Sequence, residues 1–246
     1  MKKKIKIGSA ITFLDSVDST NNYTANLINE KKITNGQVIM ADYQGEGRGQ
    51  RGSKWYSESG KNILLSLYLE LDNLSVKNQS ILAKYTSVSL VEALRTIGLN
   101  PQIKWPNDVL IDNKKICGVL IENQLIGQSI KNSIIGIGLN VNQETFELEN
   151  VTSLKIELGK EQDRMSILFL LISAFNRTID MLLFHPDYIE EYYHKSLFKL
   201  NEVARFYNVN LGGFQGVITG VDSSGMIQIT TNKGKFTFDT KEIKFC

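Results

Sequence analysis

The sequence lacks a cysteine framework and a long apolar run, and each absence excludes a class of protein. Its two cysteines, Cys117 and Cys246, offer neither a set of disulfides nor the spacing of a metal site, so a reduced, cytoplasmic setting is expected. No apolar stretch approaches the ~20 residues that a membrane-spanning helix needs. The basic first residues are not followed by the apolar core of a secretory signal, and no membrane partner is expected.

An excess of charge of one sign is also missing. The formal net charge is +2, whereas a nucleic-acid-binding protein usually shows a concentrated basic excess, so no DNA partner is expected. The hydrophobic share of 42% and the charged share of 22% are those of an ordinary globular protein. A chain of 246 residues suits one large domain, or a medium domain with a small one.

The first 200 residues mix predicted strands with predicted helices. Apolar residues recur at helical spacing from Gln79 to Ile97, and Gly98 ends that helix. Arg164 to Phe184 gives the strongest helical pattern, with Asp163 as its cap and Pro186 just beyond its end. The other predicted elements are strands at Ile5–Phe13, Gln37–Ala41, Ile63–Leu71, Gln102–Trp105, Val109–Ile111, Ile116–Asn123 and Ser133–Val141, a polar turn at Asp15–Asn21, and helices at Ser19–Glu30 and Asp187–Leu197.

The last 45 or so residues have a different texture, with short strands joined by glycine-containing turns. The predicted strands are Val203–Tyr207, Gly216–Val221, Met226–Thr231 and Lys235–Asp239. A run of hairpins of this length is more typical of a small β-barrel than of a helix-covered sheet. We therefore predict a larger domain over residues 1–198 and a small C-terminal β-barrel over residues 199–246.

The stretch from Gly47 to Gly60 is the most informative part of the sequence. It combines four glycines with two arginines, a lysine and Trp55. Glycines let backbone N–H groups come close to a ligand, and arginines supply forked donors for a carboxylate or phosphate. Because tryptophan adds a flat apolar face, the stretch predicts a loop that holds an anionic ligand with a planar part.

Two familiar nucleotide motifs are excluded for this loop. Gly47, Gly49 and Gly52 formally match the dinucleotide fingerprint, but that motif needs a helix starting inside it, and Ser53–Gly60 has no helical period. No Gly-Lys-Ser/Thr follows, so the phosphate-loop motif is absent as well. A flexible basic surface loop is the plain alternative, and the presence of Trp55 disfavours it.

Three further segments carry candidate ligand-binding residues. Lys104–Asp108 contains a proline between an aromatic residue and Asn-Asp, which indicates a rigid turn; taken alone, it is equally typical of a hairpin with a core tryptophan. Lys115 precedes a strand that carries Gly118, and a lysine there suits phosphate or carboxylate. In the strand Gly136–Asn142, alternating glycines leave either a groove or room for a neighbouring backbone.

Taken in order, these segments closely resemble the biotin protein ligases, also called biotin–acetyl-CoA-carboxylase ligases. The matching segments are Asp18–Asn21, Tyr43–Gln44 with Gly47–Trp55, Lys104–Asp108, Lys115–Glu122 and Gly136–Asn142. The resemblance runs from about Phe13 to the last β segment, and five motifs in the right order make it specific. It is a resemblance to the short type of ligase, because too few residues precede the first strand for an N-terminal helix-turn-helix domain.

The resemblance implies a fold, a reaction and partners. The expected fold class is α+β, with a mixed, largely antiparallel sheet and helices in a catalytic domain like that of class II aminoacyl-tRNA synthetases. The expected reaction joins biotin to ATP as biotinyl-adenylate with release of pyrophosphate, and then transfers biotin to a lysine of a biotin carboxyl carrier protein. Mg²⁺ is expected with the polyphosphate. Homodimerisation is left open.

The resemblance also implies a role for each matching residue. Arg48 and the loop amides would hold the biotin carboxylate and the phosphate, Lys115 would bridge the reacting groups, and Asp108 would help to place a metal ion or that lysine. The implied biotin-binding set is Ser19, Thr20, Asn21, Gln44, Gly47, Arg48, Gly49, Lys115, Gly118, Gly136 and Gly138. The implied nucleotide-binding set is Gln50, Arg51, Ser53, Trp55, Lys104, Asn107 and Asn140.

Within these sets the implied contacts differ. Ser19, Thr20 and Gln44 would bind the ureido ring of biotin, the glycines Gly118, Gly136 and Gly138 would form the floor of its pocket, and Trp55 would lie against adenine. His185 and His194 are interpreted as structural or exposed, since the first step needs little proton chemistry. Many members of the family have arginine at the positions of Gln50 and Ser53, which predicts looser retention of the adenylate here unless Arg51 compensates.

Two other functions remain as alternatives. A lipoate–protein ligase shares the fold and the adenylate chemistry, although its usual Gly-Gly and His-Asp patterns are missing from this sequence. A catalytically silent binding or scaffold protein would also keep the fold. The presence of Arg48, Lys115 and the Lys104–Asp108 turn disfavours the silent protein.

Overall fold

A computed structural model describes residues 5–71, 74–240 and 242–246, with the side chain of Arg51 outside the description. In chain order the first strands are β1 (Ile11–Val17), β2 (Val38–Gln44), β3 (Ile63–Leu69), β4 (Leu74–Ser75), β5 (Gln102–Lys104), β6 (Asp108–Ile111), β7 (Lys114–Ile126) and β8 (Ser129–Leu139). The helices are α1 (Thr20–Asn29), α2 (Ser80–Thr96), α3 (Leu154–Leu158), α4 (Arg164–Phe184) and α5 (Pro186–Lys195). The last strands are β9 (Val203–Asn208), β10 (Gly212–Val221), β11 (Ile227–Thr231), β12 (Gly234–Phe238) and β13 (Ile243–Phe245).

The first eight strands form one sheet, in the order β1-β2-β3-β8-β7-β6-β5, with β4 paired to β8. Among the described pairs of this sheet only β1–β2 is parallel. The helices α2 and α4 pack against each other, and the apolar faces of helices and sheet form the core. The predicted α+β class with a largely antiparallel sheet is therefore confirmed.

The first strand lies further along the chain than predicted. It occupies Ile11–Val17 instead of Ile5–Phe13, so residues expected in a polar turn, such as Asp15, belong to the strand. The cause is the long-range parallel ladder with β2, which pairs Ile11 with Val38 and Val17 with Gln44. Tertiary pairing outweighs the weak local preference of polar residues for turns.

The predicted C-terminal β-barrel is wrong. The five last strands form an open sheet in the order β12-β11-β10-β9-β13, so β12 and β13 stand at opposite edges. The three-residue strand β13, which no local pattern predicted, pairs with β9. Closure into a barrel needs the two edge strands to pair, and no ladder joins β12 to β13 among the described residues. The predicted boundary between residues 198 and 199 stays a proposal, and it falls between α5 and β9.

Helix α4 has the bounds that the sequence predicted. The carboxylate of Asp163 accepts hydrogen bonds from the backbone N–H groups of Met165 and Ser166 and so caps the helix. Contrary to expectation, its 21 residues are long and apolar enough to span a membrane by length and composition. One face, which includes Leu171 and Phe175, is buried in the core. A core helix meets the same criteria as a membrane span.

One turn anchors the C-terminal sheet to the larger one. The Trp105 indole N–H donates to the carbonyl oxygen of Gly225 at 2.9 Å, and the Ser80 hydroxyl donates to that of Ser223 at 2.6 Å. The buried Lys84 ammonium donates to the Asp222 carbonyl at 2.9 Å and pairs with Glu190 Oε2 at 2.5 Å. This anchor, residues 222–225, sets the C-terminal sheet beside the edge strand β5.

Candidate functional site

The start of α1 lies beside the end of β2. The helix directly follows β1, and the parallel pairing of β1 with β2 brings the ends of both strands together. Ser19 precedes the helix in extended conformation, and Ser19, Thr20 and Asn21 are all buried. Gln44 Oε1 lies 2.7 Å from the backbone nitrogen and 3.0 Å from the hydroxyl of Thr20. Residues 24 positions apart in sequence thus form one polar cluster.

The glycine and arginine loop closes on itself after β2. Arg48 and Lys54 form an isolated β-bridge, and the Trp55 N–H donates to the Gly47 carbonyl at 2.9 Å. Only a three-residue 3₁₀ turn at Gln50–Gly52 lies between them, so the rejection of a dinucleotide fingerprint is confirmed. A Cβ on Gly47 would lie 2.5 Å from the Trp55 carbonyl oxygen. Glycine is therefore required for this close approach.

The Arg48 side chain is held by two polar side chains, one from β7 and one from α1. Its Nη2 atom donates to Glu122 Oε2 at 3.0 Å and to Asn22 Oδ1 at 2.7 Å. The side chain is 42% exposed and lines the cavity, so its remaining donors face solvent and the cavity. This arrangement presents a fixed cation with free N–H groups, which suits a carboxylate or phosphate.

The indole of Trp55 lies directly on a pair of glycines. Gly118 of β7 and Gly138 of β8 face each other in the ladder. A Cβ on Gly118 would lie 2.8 Å from Trp55 Cζ3, and one on Gly138 would lie 2.6 Å from Trp55 Cζ2. Gly136 makes room for Asn21 in the same way, with 2.5 Å from the hypothetical Cβ to Asn21 Oδ1. The three glycines therefore allow the side chains of Trp55 and Asn21 to lie directly against the backbone of the sheet.

Lys115 lies at the start of β7, next to Gly118. Its Nζ atom pairs with Asp108 Oδ1 at 2.7 Å and lies 5.5 Å from the centre of the Trp55 ring. Asp108 opposes Gly118 in the β6–β7 ladder, because a bulge between Val109 and Leu110 shifts the register. The lysine is therefore held by a carboxylate and an aromatic face while it remains one-third exposed.

A first cavity of about 480 Å³ brings most of the predicted site together. Three predicted site residues are not among those that line it: Gly47, Asn140 and Arg51. The side chain of Arg51 is outside the described structure. The lining members of the predicted sets are Ser19, Thr20, Asn21, Gln44, Arg48, Gly49, Gln50, Ser53, Trp55, Lys104, Asn107, Asp108, Lys115, Gly118, Gly136 and Gly138.

A second cavity, of about 600 Å³, adjoins the first. Trp55 and Lys115 line both cavities, as do Ser53 and Lys54. Asn140 lines only the second cavity, where its amide nitrogen donates to the Thr152 carbonyl at 3.0 Å. The predicted nucleotide-binding residues are thus divided between the two cavities. Gln50, Lys104 and Asn107 line the first cavity, whereas Asn140 lines the second. The apolar part of the second cavity is formed by Phe146, Leu148 and Val151.

The sequence left some contributors unassigned. Ser66 Oγ lies within 2.8 Å of Thr20 Oγ1 and 2.6 Å of Asn21 Oδ1. A polar residue inside the apolar strand β3 was the signal that could have found it. Glu122, matched in the resemblance without a role, pairs with Arg48. The C-terminal residues Thr240, Ile243, Lys244 and Phe245 also line the first cavity, and no sequence pattern links them to it.

Two features of the site bear on its chemistry. Within the described residues the buried Trp55 Nε1–H has no hydrogen-bond acceptor, and such a donor favours a ligand that supplies one. Burial raises the pKa of the Cys117 thiol, so it stays protonated at neutral pH and acts as a small apolar residue. The described residues hold no group of three or more histidine, cysteine or carboxylate side chains that would cage a metal.

Replacing Gly138 by alanine is expected to displace the Trp55 indole from its position against Gly118 and Gly138. The added methyl group would meet the indole, and overpacking of this kind costs about 1–3 kcal/mol of unfolding free energy. In a Trp105→Phe background Trp55 is the only tryptophan, so emission excited selectively in tryptophan reports on it and should shift to longer wavelength as the ring becomes exposed. Gly213→Ala is the control, because nothing lies within 4 Å of its Cβ position. An unchanged emission maximum in the Gly138 variant would contradict the packing described above.

Comparison with known proteins gives three findings. The sequence model of the biotin/lipoate A/B protein ligase family matches residues 13–140. The bifunctional ligase/repressor BirA of Bacillus subtilis is 29% identical over 240 residues, covering 93% of this chain and 71% of the relative. The biotin–[acetyl-CoA-carboxylase] ligase of Mycobacterium tuberculosis is 26% identical over 235 residues, covering 91% and 85%. The solved biotin protein ligase of Aquifex aeolicus in complex with biotin and ATP has a TM-score of 0.80 at 27% identity, covering 97% of this chain and 99% of that one.

Proposed function

Because the chain belongs to the biotin/lipoate A/B protein ligase family, we propose that it is an ATP-dependent biotin–protein ligase. The relatives named above are biotin ligases, and the solved structure holds biotin and ATP. The enzyme activates biotin as biotinyl-adenylate, releases pyrophosphate, and then transfers biotin to a lysine of a carrier protein. Lipoate ligation and a silent binding role are not favoured by these relatives.

One observation carries this proposal: two cavities meet at Lys115 and Trp55. A reaction between two anions needs both of them close together, with a cation at the point of contact. We place biotin in the first cavity and the adenosine of ATP in the second. The biotin carboxylate and the α-phosphate then meet beside the Lys115 ammonium, which offsets their repulsion.

The first cavity offers the groups that biotin needs. Thr20 and Gln44 form a buried polar cluster for the ureido ring, and Gly118 and Gly138 let the Trp55 indole lie against the sheet as part of the cavity wall. Arg48, fixed by Glu122, reaches over the opposite end and binds the carboxylate. We retain Ser19, Asn21, Gly47, Gly49 and Gly136 as members of the biotin site by position.

The second cavity suits a nucleoside. Its apolar residues Phe146 and Leu148 and the exposed side of Trp55 provide surfaces for a base, and Asn140 supplies a polar group. Gln50, Ser53, Lys104 and Asn107 lie along the neighbouring wall, where we place the phosphates; Arg51 belongs to the same proposal. Mg²⁺ arrives bound to ATP, since it commonly uses substrate phosphates and few protein ligands. The observed partner of Asp108 is Lys115, so we assign Asp108 to positioning that lysine.

The second step uses an acceptor lysine from outside the chain. We propose a biotin carboxyl carrier protein as the partner, because its lysine amine would attack the mixed anhydride and release AMP. A cytoplasmic setting accords with two cysteines that form no disulfide. Homodimerisation stays open, as it was from the sequence.

An exchange assay tests the proposed function. The enzyme, ATP, Mg²⁺ and labelled pyrophosphate are incubated with biotin, with lipoate, or with neither acid. Label is expected to enter ATP only with biotin. Exchange with lipoate alone would replace the proposal by lipoate ligation, and no exchange with either acid would leave a binding protein.

Replacing Gln50 by arginine is expected to slow the release of biotinyl-adenylate about tenfold, the effect of one added charge-assisted contact to phosphate. Gln50 lines the first cavity, close enough to the loop for a longer cation to reach the ligand. The rate is measured by chasing labelled adenylate with excess unlabelled ligand. Gln50→Met, which adds no charge, serves as the control. A release rate that arginine leaves unchanged would remove Gln50 as the cause of looser retention.

A further inference from the structure

Two buried amide side chains, Asn62 and Gln143, connect the two walls of the second cavity. One wall comes from the end of the glycine and arginine loop and includes Ser57 and Glu58. The other wall comes from the segment after β8 and includes Gln143 itself. Residues 141–150 form neither helix nor strand in the described structure, so contacts other than a regular ladder set the position of this second wall.

Asn62 reaches both walls because it directly precedes β3, which pairs with β8. Its Oδ1 atom accepts from the backbone N–H of Val141 at 2.9 Å. Its Nδ2 atom donates to Ser57 Oγ at 2.8 Å and to Gln143 Oε1 at 2.6 Å. An amide nitrogen carries two hydrogens, so both donors are used. Because the side chain of Asn62 is fully buried, its removal would leave buried polar groups without a partner.

Gln143 extends the connection to the next part of the second wall. Its Oε1 atom also accepts from the backbone N–H of Glu58 at 3.1 Å, which fixes that atom as the oxygen of the amide. The nitrogen therefore faces the other way, and it donates to the carbonyl oxygen of Thr145 at 2.8 Å. Thr145 is followed by Phe146, which lines the second cavity. A single glutamine thus joins the loop to the apolar part of that cavity.

The connection is separate from the contacts that hold Trp55. The Trp55 indole lies against Gly118 and Gly138, and its backbone N–H donates to the Gly47 carbonyl. Asn62 lines neither cavity, so it can affect a bound ligand only through the position of the walls. Its replacement should therefore alter the second cavity and leave the first cavity intact.

We propose that Asn62 and Gln143 are positioning residues that hold the two walls of the second cavity at the separation that a nucleoside fits. The inference rests on the proposed function and deepens it, because that function places the adenosine of ATP in this cavity. Without the connection, the loop and the segment after β8 separate, and the base loses contact with one of them. The affinity for ATP then falls while the affinity for biotin stays the same.

The test replaces each amide by an apolar side chain of similar size and compares it with a buried amide elsewhere. Asn62→Leu removes the first amide, and Asn132→Leu is its control, because Asn132 is a buried asparagine of β8 that lines neither cavity. Gln143→Met removes the second amide. Gln37→Met is its control, because Gln37 is a buried glutamine outside both cavities.

Pyrophosphate exchange at saturating biotin gives the KM for ATP, and calorimetry gives the Kd for biotin. Asn62→Leu and Gln143→Met are each expected to raise the KM for ATP about tenfold, the effect of losing one buried hydrogen bond. The Kd for biotin, and the KM for ATP of both controls, should stay within about threefold of the wild type, since distant sites couple weakly. The double variant should raise the KM no further than the worse single variant, because the two amides form one connection.

Several outcomes would overturn the positioning role and leave the ligase proposal intact. They are an unchanged KM for ATP in both amide variants, an equal rise in the controls, an equal loss of biotin affinity, and additive effects in the double variant. A rise in Gln143→Met alone would also count against it, because Gln143 would then contact the nucleotide directly.

Two provisions keep the test decisive. Should Asn62→Leu fail to fold, Asn62→Asp takes its place, because aspartate keeps the oxygen for the Val141 N–H and loses only the donors. A wild type without biotin-dependent exchange would overturn the proposed function, and the inference with it.

Discussion

Replacing Lys115 by methionine is expected to lower the rate of biotin-dependent pyrophosphate exchange about 10²–10³-fold, the usual cost of removing one preorganised donor from a developing charge. Lys115 borders both cavities, and Asp108 and the Trp55 ring hold its ammonium in place. Methionine keeps the apolar stem but removes the cation, so the two anions meet without compensation. Initial exchange rates at saturating biotin and ATP provide the measurement.

The preceding residue is the matched control for this prediction. Lys114 carries the same charge, is 47% exposed and lies 3.7 Å from Glu157, outside both cavities. Lys114→Met should keep the exchange rate within about twofold, because an exposed pair contributes little. If Lys115→Met retains more than a tenth of the rate, its central role is contradicted. Equal losses in the two variants would point to net charge instead of position.

Replacing Glu190 by alanine is expected to lower the free energy of unfolding by about 3 kcal/mol, the low end for breaking a buried ion pair. The side chain of Lys84 is only 2% exposed, and Glu190 is its anionic partner. Without Glu190 the buried ammonium keeps the Asp222 carbonyl and the face of the Tyr193 ring, whose centre is 5.8 Å away, but it has no anionic partner among the described residues. Urea unfolding followed by circular dichroism measures the loss, which should also loosen the anchor at residues 222–225.

Two further variants make this stability prediction specific. Glu191 is next in the same helix, but its pair with Lys195 is exposed on both sides, so Glu191→Ala should leave the unfolding midpoint unchanged. Adding Lys84→Met to Glu190→Ala should recover at least half of the loss, because an apolar pair replaces the unpaired charge. A loss below about 1 kcal/mol in Glu190→Ala would contradict the prediction. It would show that the Lys84 ammonium does not behave as a buried charge without a partner.

Local patterns predicted the elements whose stability is largely local. Helix α4 has its predicted bounds because an apolar helical period, a cap at Asp163 and Pro186 all act within one segment. Strand β1 and the C-terminal sheet were misjudged for the opposite reason. The position of β1 depends on β2, more than 20 residues away, and the open sheet depends on the pairing of β13 with β9.

The candidate site also has one part that local sequence patterns predicted and another part that they did not. Lys115, Arg48 and the glycine loop were found from residue type and order, since a cation among glycines already indicates anion binding. The wall formed by Phe245 and its neighbours could not be found, because β13 reaches the cavity through its pairing with β9 and the anchoring of that sheet beside β5, which are long-range contacts. Trp55 was singled out from the sequence as a candidate, yet its position on Gly118 and Gly138 depends on strands far along the chain.

The sequence by itself determined which chemical groups are available: cations in a glycine-rich loop, small residues in a strand, and a lysine beside an acid. These are covalent properties that need no fold. Only the tertiary structure decided how those groups are oriented, because orientation depends on the register between distant strands. It placed Lys115 between two cavities and buried Ser66 against Thr20. Which groups meet in the site therefore depends on packing that no local segment contains.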